Sequence, residues 1–257
     1  KADIRMLLFL LLLVVLFVIV LAVSGVIPKV LQYVIIVFGL CAVFMSRAGS
    51  PDNRAPLNFG IFDVISIGLI VAITALTRFY YLGDKFGGLN SDELLFSETA
   101  ISIINGGFHP SVFVGDSNNQ IGSPGYYILA LFYKMWGVNT FTLRLLPAIG
   151  AVLAVVSFYL FCRLFFRWDI AMLACVFFSF EHTYMHVTRW MHVFQLTPIF
   201  IWLGFFFLVR GFTVKNRIFL ILSGAVTGWS LYFYNSNKFL VIIMGIYFVY
   251  EVLRSWF

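Results

Sequence analysis

Long uncharged apolar runs separated by short polar breaks dominate the chain from its first turn onward. Residues 6–28 and 30–46 hold no charge, and Pro28-Lys29 lies between them, which predicts a helical hairpin. A helix needs roughly 20 mostly apolar residues to cross the hydrocarbon core. The first run exceeds the roughly 7 to 15 residues of a signal-peptide core and reads as a membrane anchor. A polar stretch at 46–58 precedes a third span at 59–81, which carries Asp63 near its start. Residues 82–124 form the largest polar segment, and 125–136 is apolar but short, as expected of an interfacial or re-entrant helix. Runs at 143–162, 168–184, 190–209, 218–234 and 239–252 complete the pattern.

The expected fold is all-α: a polytopic transmembrane bundle of about eight spans with a large first external loop carrying juxtamembrane helices. Two parts are expected. Residues 1–58 make a two-span hairpin and cytoplasmic linker, and 59–257 make one membrane module whose external loop is 82–124. The chain lacks an initiator methionine and stops inside an apolar segment, so it reads as a piece of a longer protein, truncated at the C-terminus.

Composition removes the alternatives. Of 257 residues, 62% are hydrophobic and 11% charged, against about 45 to 50% and about 25% in a soluble domain. Soluble, disordered and fibrous classes are excluded together. The net charge of +6 would suggest nucleic acid in a soluble protein, but the basic residues cluster at the ends of apolar runs. There they speak of topology and lipid headgroups, with membrane lipid as a partner and no nucleic acid. With the N-terminus in the cytoplasm, Lys1, Arg5, Arg47, Arg54, Arg163, Arg167, Arg210, Lys215, Arg217 and Arg254 lie inside, and the loop at 82–124 is external. Cys41, Cys162 and Cys175 sit in apolar runs without C-x-x-C spacing, which supports neither a disulfide framework nor a zinc finger.

Ionisable chemistry gathers on the external side. Asp84, Asp92, Glu93, Glu98 and Asp116 share the loop, and Glu181, His109, His182, His186 and His192 map to the same face. Ionisable groups kept at one membrane surface mark a site more often than a packing need. In Asn90-Ser91-Asp92-Glu93, Asn90 or Ser91 can cap a helix whose first turn carries the two acids, with Gly106 ending it. On local pattern the pair reads first as capping acids and second as a catalytic carboxylate. His182, His186 and Arg189, spaced by four and three, share one helical face suited to a phosphate or a metal, or to a plain interfacial helix end. Arg78 and Arg144, at span ends, are expected to snorkel to the interface or to contact an anion, and Lys238 poses the same choice. Asp63 is expected to be exposed at the inner interface, with a buried functional acid as the alternative.

The order of motifs carries a resemblance. Arg78-Phe79-Tyr80-Tyr81-Leu82, Asp92-Glu93, Ile103-Ile104-Asn105-Gly106-Gly107, Ser123-Pro124-Gly125-Tyr126-Tyr127, Lys134-Met135-Trp136-Gly137-Val138-Asn139, Leu143-Arg144-Leu145-Leu146-Pro147, Thr188-Arg189 and Gly228-Trp229-Ser230-Leu231-Tyr232-Phe233-Tyr234 follow one another. Over residues 60–257 this resembles the GT-C membrane glycosyltransferases, especially the protein O-mannosyltransferase and aminoarabinose transferase group.

The resemblance implies an inverting enzyme that moves a hexose or pentose from a polyprenyl-phosphate donor to a hydroxyl of a protein, lipid or glycan acceptor. The reaction would run at the external face of a bacterial or archaeal plasma membrane. Asp92 matches the family aspartate and is the expected general base, with Glu93 positioning the acceptor or supporting the loop. Arg189 is the first candidate for the donor phosphate, followed by His182, His186, Arg144 and Lys238. No cofactor is assigned, and a divalent metal is left open. Aminoarabinose transferases commonly carry Lys-Pro-Pro where this chain has Gly122-Ser123-Pro124, so the headgroup contact of that lysine is missing here. Two other functions fit the pattern: a non-catalytic polyprenyl-lipid binder or flippase-like subunit, and a structural subunit whose Asp92 and Glu93 stand in open water.

Overall fold

A computed structural model describes residues 59–83, 88–107 and 124–256. The expected hairpin at 6–46 and most of the external loop lie outside them. Nine α-helices occur among the described residues: α1 (Ile61–Phe79), α2 (Ser91–Ile104), α3 (Pro124–Trp136), α4 (Thr140–Arg163), α5 (Trp168–Phe180), α6 (His182–Val187), α7 (Thr197–Val214), α8 (Arg217–Ser230) and α9 (Lys238–Trp256). Short 3-10 turns at Val193–Leu196 and Asn235–Asn237 precede α7 and α9, and no β-strand occurs among the described residues.

α4 is the hub. It packs against α1, α3, α5, α7 and the Val193–Leu196 turn, and its buried positions surround the helix. A helix apolar all round belongs in the interior of a bundle, whereas one-sided helices line its surface. α1 is one-sided: Asp63, Ser66, Ile70, Thr74 and Arg78 form its buried stripe, while Ile61, Val64, Ile65, Leu69 and Leu76 are exposed. Large apolar side chains facing outward beside a polar inner stripe are what lipid as solvent demands. Small hydroxyls tie neighbouring helices within the apolar layer. Thr74 Oγ1 shares a hydrogen bond with Ser179 Oγ (2.9 Å), joining α1 to α5, and Ser223 Oγ donates to the Gly204 carbonyl (3.0 Å), joining α8 to α7.

Among the described residues three helical stretches are long and apolar enough to cross a membrane: Ile61–Phe79, Thr140–Arg163 and Val193–Val214. α5 and α8 are apolar but only 13 and 14 residues long. The run expected at 168–184 breaks at Glu181, whose carboxylate accepts the Thr183 and Tyr184 amides and starts a new helix. The run expected at 190–209 becomes a regular helix only at Thr197. His192 Nδ1 accepts the Phe194 amide there, and Pro198 occupies the first helical turn.

Asp63 departs from expectation. It is 2% exposed, because α4 supplies its donors. Tyr159 Oη donates to Oδ1 (2.7 Å), Arg163 Nε to the same oxygen, and Arg163 NH2 to Oδ2 (3.2 Å). Oδ2 also accepts the Gly60 amide (3.0 Å), which closes the first turn of α1. A buried carboxylate persists when its lone pairs are used in this way.

Candidate active site

At the opposite end of α1 and α4 a second polar assembly forms around α2. Asn90 opens that helix by accepting the amides of Asp92 (2.7 Å) and Glu93 (3.3 Å), while Glu93 Oε2 accepts the Asn90 amide (3.3 Å). This reciprocal cap is a capping box. The helix runs from Ser91 to Ile104 and is followed by Gly106 at φ +72°, a conformation that glycine adopts without strain.

Glu93 does more than cap. It is 1% exposed and receives a two-pronged contact from Arg144, Nε to Oε1 at 2.8 Å and NH2 to Oε2 at 3.0 Å. Oε1 also accepts the Met191 amide at 3.2 Å. One carboxylate therefore joins the start of α2, the first turn of α4 and the Met191–Leu196 segment. Burial pushes the Glu93 carboxyl up, but the Arg144 fork and the Met191 and Asn90 amides outweigh it and hold the group below the usual range. This corrects two expectations. Arg144 does not snorkel: it is 2% exposed, because a buried carboxylate waits for it inside. Glu93 is not solvated, as the structural-subunit reading requires of the pair.

Asp92 stands beside this lock with the opposite character. It is exposed, and among the described residues its carboxylate has neither an ion-pair nor a hydrogen-bond partner. Adjacent acids thus have separate environments, one consumed by the fold and one left accessible.

Arg78 is fully buried, also against expectation. Its Nε donates to Thr188 Oγ1 (2.8 Å), NH1 to Thr77 Oγ1 (2.9 Å) and NH2 to the Ser179 carbonyl (2.9 Å), and its guanidinium lies 5.5 Å from the Tyr184 ring centre. Arg189, half-buried, donates back to the Tyr80 carbonyl. The two contacts clasp the end of α1 to the Thr188-Arg189 step. Arg189 is repelled by Arg78 and by Arg144, so it lies within electrostatic reach of both. Burial and Arg144 together push the Arg189 guanidinium below its ordinary value. Arg144 thus pairs with Glu93, while Arg189 lies within electrostatic reach of Arg144 and Arg78.

The remaining candidates lie farther from this lock. His182 and His186 are exposed on α6, their rings nearly parallel with centres 6.5 Å apart, and His186 meets Trp190 edge-on. Lys238 is exposed at the start of α9. No group of three or more His, Cys, Asp or Glu side chains suited to a metal occurs among the described residues.

His192, read from sequence as an external-face histidine but not as a site residue, packs beside α2. Its ring centre is 5.6 Å from Phe96, 4.2 Å from Phe194 and 6.2 Å from Tyr234. Burial holds its imidazole below the ordinary value, partly offset by the Asp92 charge. A cleft of about 530 Å³ is lined by Phe79, Tyr80, Tyr81, Leu82, Gly83 and Phe141. Arg189 reaches it through the Tyr80 carbonyl, and Asp92 is not among its lining residues.

The described residues form an all-helical bundle with apolar spans, which is an integral membrane protein, and the family match sets its class as a GT-C glycosyltransferase. The family model for dolichyl-phosphate-mannose-protein mannosyltransferase matches residues 124–257, just over half of the chain, and the chain belongs to that family. The match includes Arg144, His182, His186, Arg189 and Lys238, while Asp92 and Glu93 lie before it. No curated protein and no solved structure matches the chain.

Proposed function

We propose that this glycosyltransferase moves a sugar from a polyprenyl-phosphate donor to a hydroxyl of a protein, lipid or glycan acceptor at the external membrane face, with inversion and with Asp92 as general base. The observation that carries the reading is the accessible Asp92 carboxylate fixed next to the Glu93–Arg144–Met191 lock. That lock brings it into the same assembly as Arg189.

The chemistry follows from those groups. An acceptor hydroxyl is a poor nucleophile until a positioned base takes its proton as the new bond forms. Asp92 takes that proton while the acceptor oxygen attacks the anomeric carbon from the side opposite the phosphate. The anomeric carbon–oxygen bond breaks, its electron pair leaves on the lipid phosphate, and the configuration inverts. Positive charge aimed at the leaving oxygen lowers the barrier, and Arg189 is the guanidinium assigned to it. Arg144 is assigned to holding Glu93, and Glu93 to holding the loop. His182, His186 and Lys238 are headgroup candidates at the rim. Their exposure supports this role.

Asp92→Asn tests the proposal. It should abolish transfer of labelled mannose from polyprenyl-phosphate mannose to membrane acceptors while the protein stays folded and inserted. Near wild-type transfer would remove Asp92 from the base role. A lipid-binding or flippase subunit would show donor binding with no sugar transferred by the wild type.

A further inference from the structure

The reading of Asp92 as base leaves open what aims its carboxylate. Glu93 Oε1 accepts the Met191 amide, so Asp92, just before Glu93, and His192, just after Met191, flank one hydrogen bond between the two segments. Asp92 and Phe96 are four residues apart on α2 and therefore share a face. The His192 ring lies 5.6 Å from Phe96, edge to face, which puts the imidazole on that face. Phe194 and Tyr234 close on the ring from other sides, and His192 is only partly exposed.

The tautomer follows from the local backbone. His192 Nδ1 accepts the Phe194 amide at 3.2 Å, so in the neutral ring the hydrogen resides on Nε2. Among the described residues Nε2 has no partner. The ring is thus a hydrogen-bond donor of fixed tautomer, packed by aromatics, next to an accessible carboxylate whose charge it feels.

We propose that His192 is a positioning residue for Asp92: when the acceptor is bound, its Nε2–H donates to one carboxylate oxygen and leaves the other turned to receive the acceptor proton. The inference rests on the proposed base role of Asp92. The histidine keeps its own proton throughout; the acceptor proton ends on Asp92, and the bonding changes at the sugar are those already given. The arrangement explains why a half-buried ring ends the Trp190–Met191 segment where a small cap would suffice for the backbone.

The test uses the full chain in lipid nanodiscs. Nitrogen-15 histidine spectra, with His192 assigned by its loss in His192→Asn, should show the Nε2–H tautomer for His192. Asp92→Asn should shift that signal and leave those of His182 and His186 in place. An Nδ1–H tautomer, or no response to Asp92→Asn, overturns the proposal whatever the activity.

In the transfer assay with polyprenyl-phosphate mannose, His192→Gln keeps an amide N–H near the Nε2 position, and kcat should stay within about fivefold of wild type. His192→Asn keeps the backbone cap but cannot reach, and kcat should fall about tenfold or more with donor KM unchanged, a part of the roughly 100- to 10,000-fold that assisted proton transfer contributes. Equal loss in both variants, or wild-type kcat in His192→Asn, overturns the donor role. The parent reading fails separately, if Asp92→Asn transfers sugar normally. Loss in Asp92→Asn with normal His192→Asn sinks only the present inference.

Discussion

Arg144→Met is the sharpest perturbation of the lock at α2. Glu93 has four hydrogen bonds, and the substitution removes the two from the guanidinium, at 2.8 and 3.0 Å, leaving the Met191 and Asn90 amides at 3.2 and 3.3 Å. Hydrogen bonds to charged groups contribute about 1.5 to 3 kcal/mol each, which gives about 3 to 6 kcal/mol. That agrees with the roughly 3 to 5 kcal/mol lost when one partner of a buried pair is removed. For a chain of this size the loss corresponds to roughly 10 °C in thermal midpoint. Midpoints of wild type, Arg144→Met, Glu93→Leu and the double variant, all in one detergent, make the assay. The double variant should recover much of the loss, since an apolar pair can replace a buried ionic one. A drop below about 1 kcal/mol in Arg144→Met would mean the carboxylate is solvated, and the argument that separates Glu93 from Asp92 would fail.

Further outcomes follow from the same geometry. The Glu93 carboxyl titrates below its ordinary 4.5 in the folded protein, so its stabilisation is complete above that value and fades as pH falls through the depressed folded one. Midpoints measured across that acidic range should fall more steeply for wild type than for Glu93→Gln, and equal slopes would contradict the assignment. Arg189→Ala should raise donor KM about tenfold or more with little change in acceptor KM; an unaltered donor dependence would remove it from the phosphate. Gly125→Ala would bring a methyl to within 2.0 Å of Val193 Cγ1, where the branched side chain has little freedom. It should cost about 1 to 3 kcal/mol, read as a lowered midpoint, and it should lower transfer by displacing the Met191 amide. A variant as stable and active as wild type would show that the turn yields. Asp63→Asn, at the far end of the bundle, should lower the midpoint without changing donor KM, and the same two measurements check it.

Local pattern was enough for part of this structure. The apolar runs locate most of the helices, and Asn90 and Gly106 bracket α2 as their side-chain chemistry suggests. Where local pattern fell short, the partners were far away in sequence. Glu93 meets Arg144 across 51 residues, and Asp63 meets Arg163 across 100. A charge near a span end looks interfacial until a partner on another helix is known, and this applies to Asp63, Arg78 and Arg144 alike. His192 reads from sequence only as one of the external-face histidines, because the link between its segment and α2 is the bond between Glu93 and Met191, 98 residues apart. The breaks at Glu181 and before Thr197 depend on side chains that cap backbone amides, a competition that mean apolarity does not register.

The hub helix has one more consequence. Arg144 in its first turn and Arg163 in its last are nineteen residues apart, a rise of about 28 Å at 1.5 Å per residue. That nearly equals the hydrocarbon thickness of a bilayer, about 30 Å. The two ion pairs, each largely buried within the bundle, therefore mark its two ends at the spacing of the leaflets. On the proposed function, a lipid carrier whose phosphate rides at headgroup height would arrive level with Asp92 and Arg189 without any vertical search.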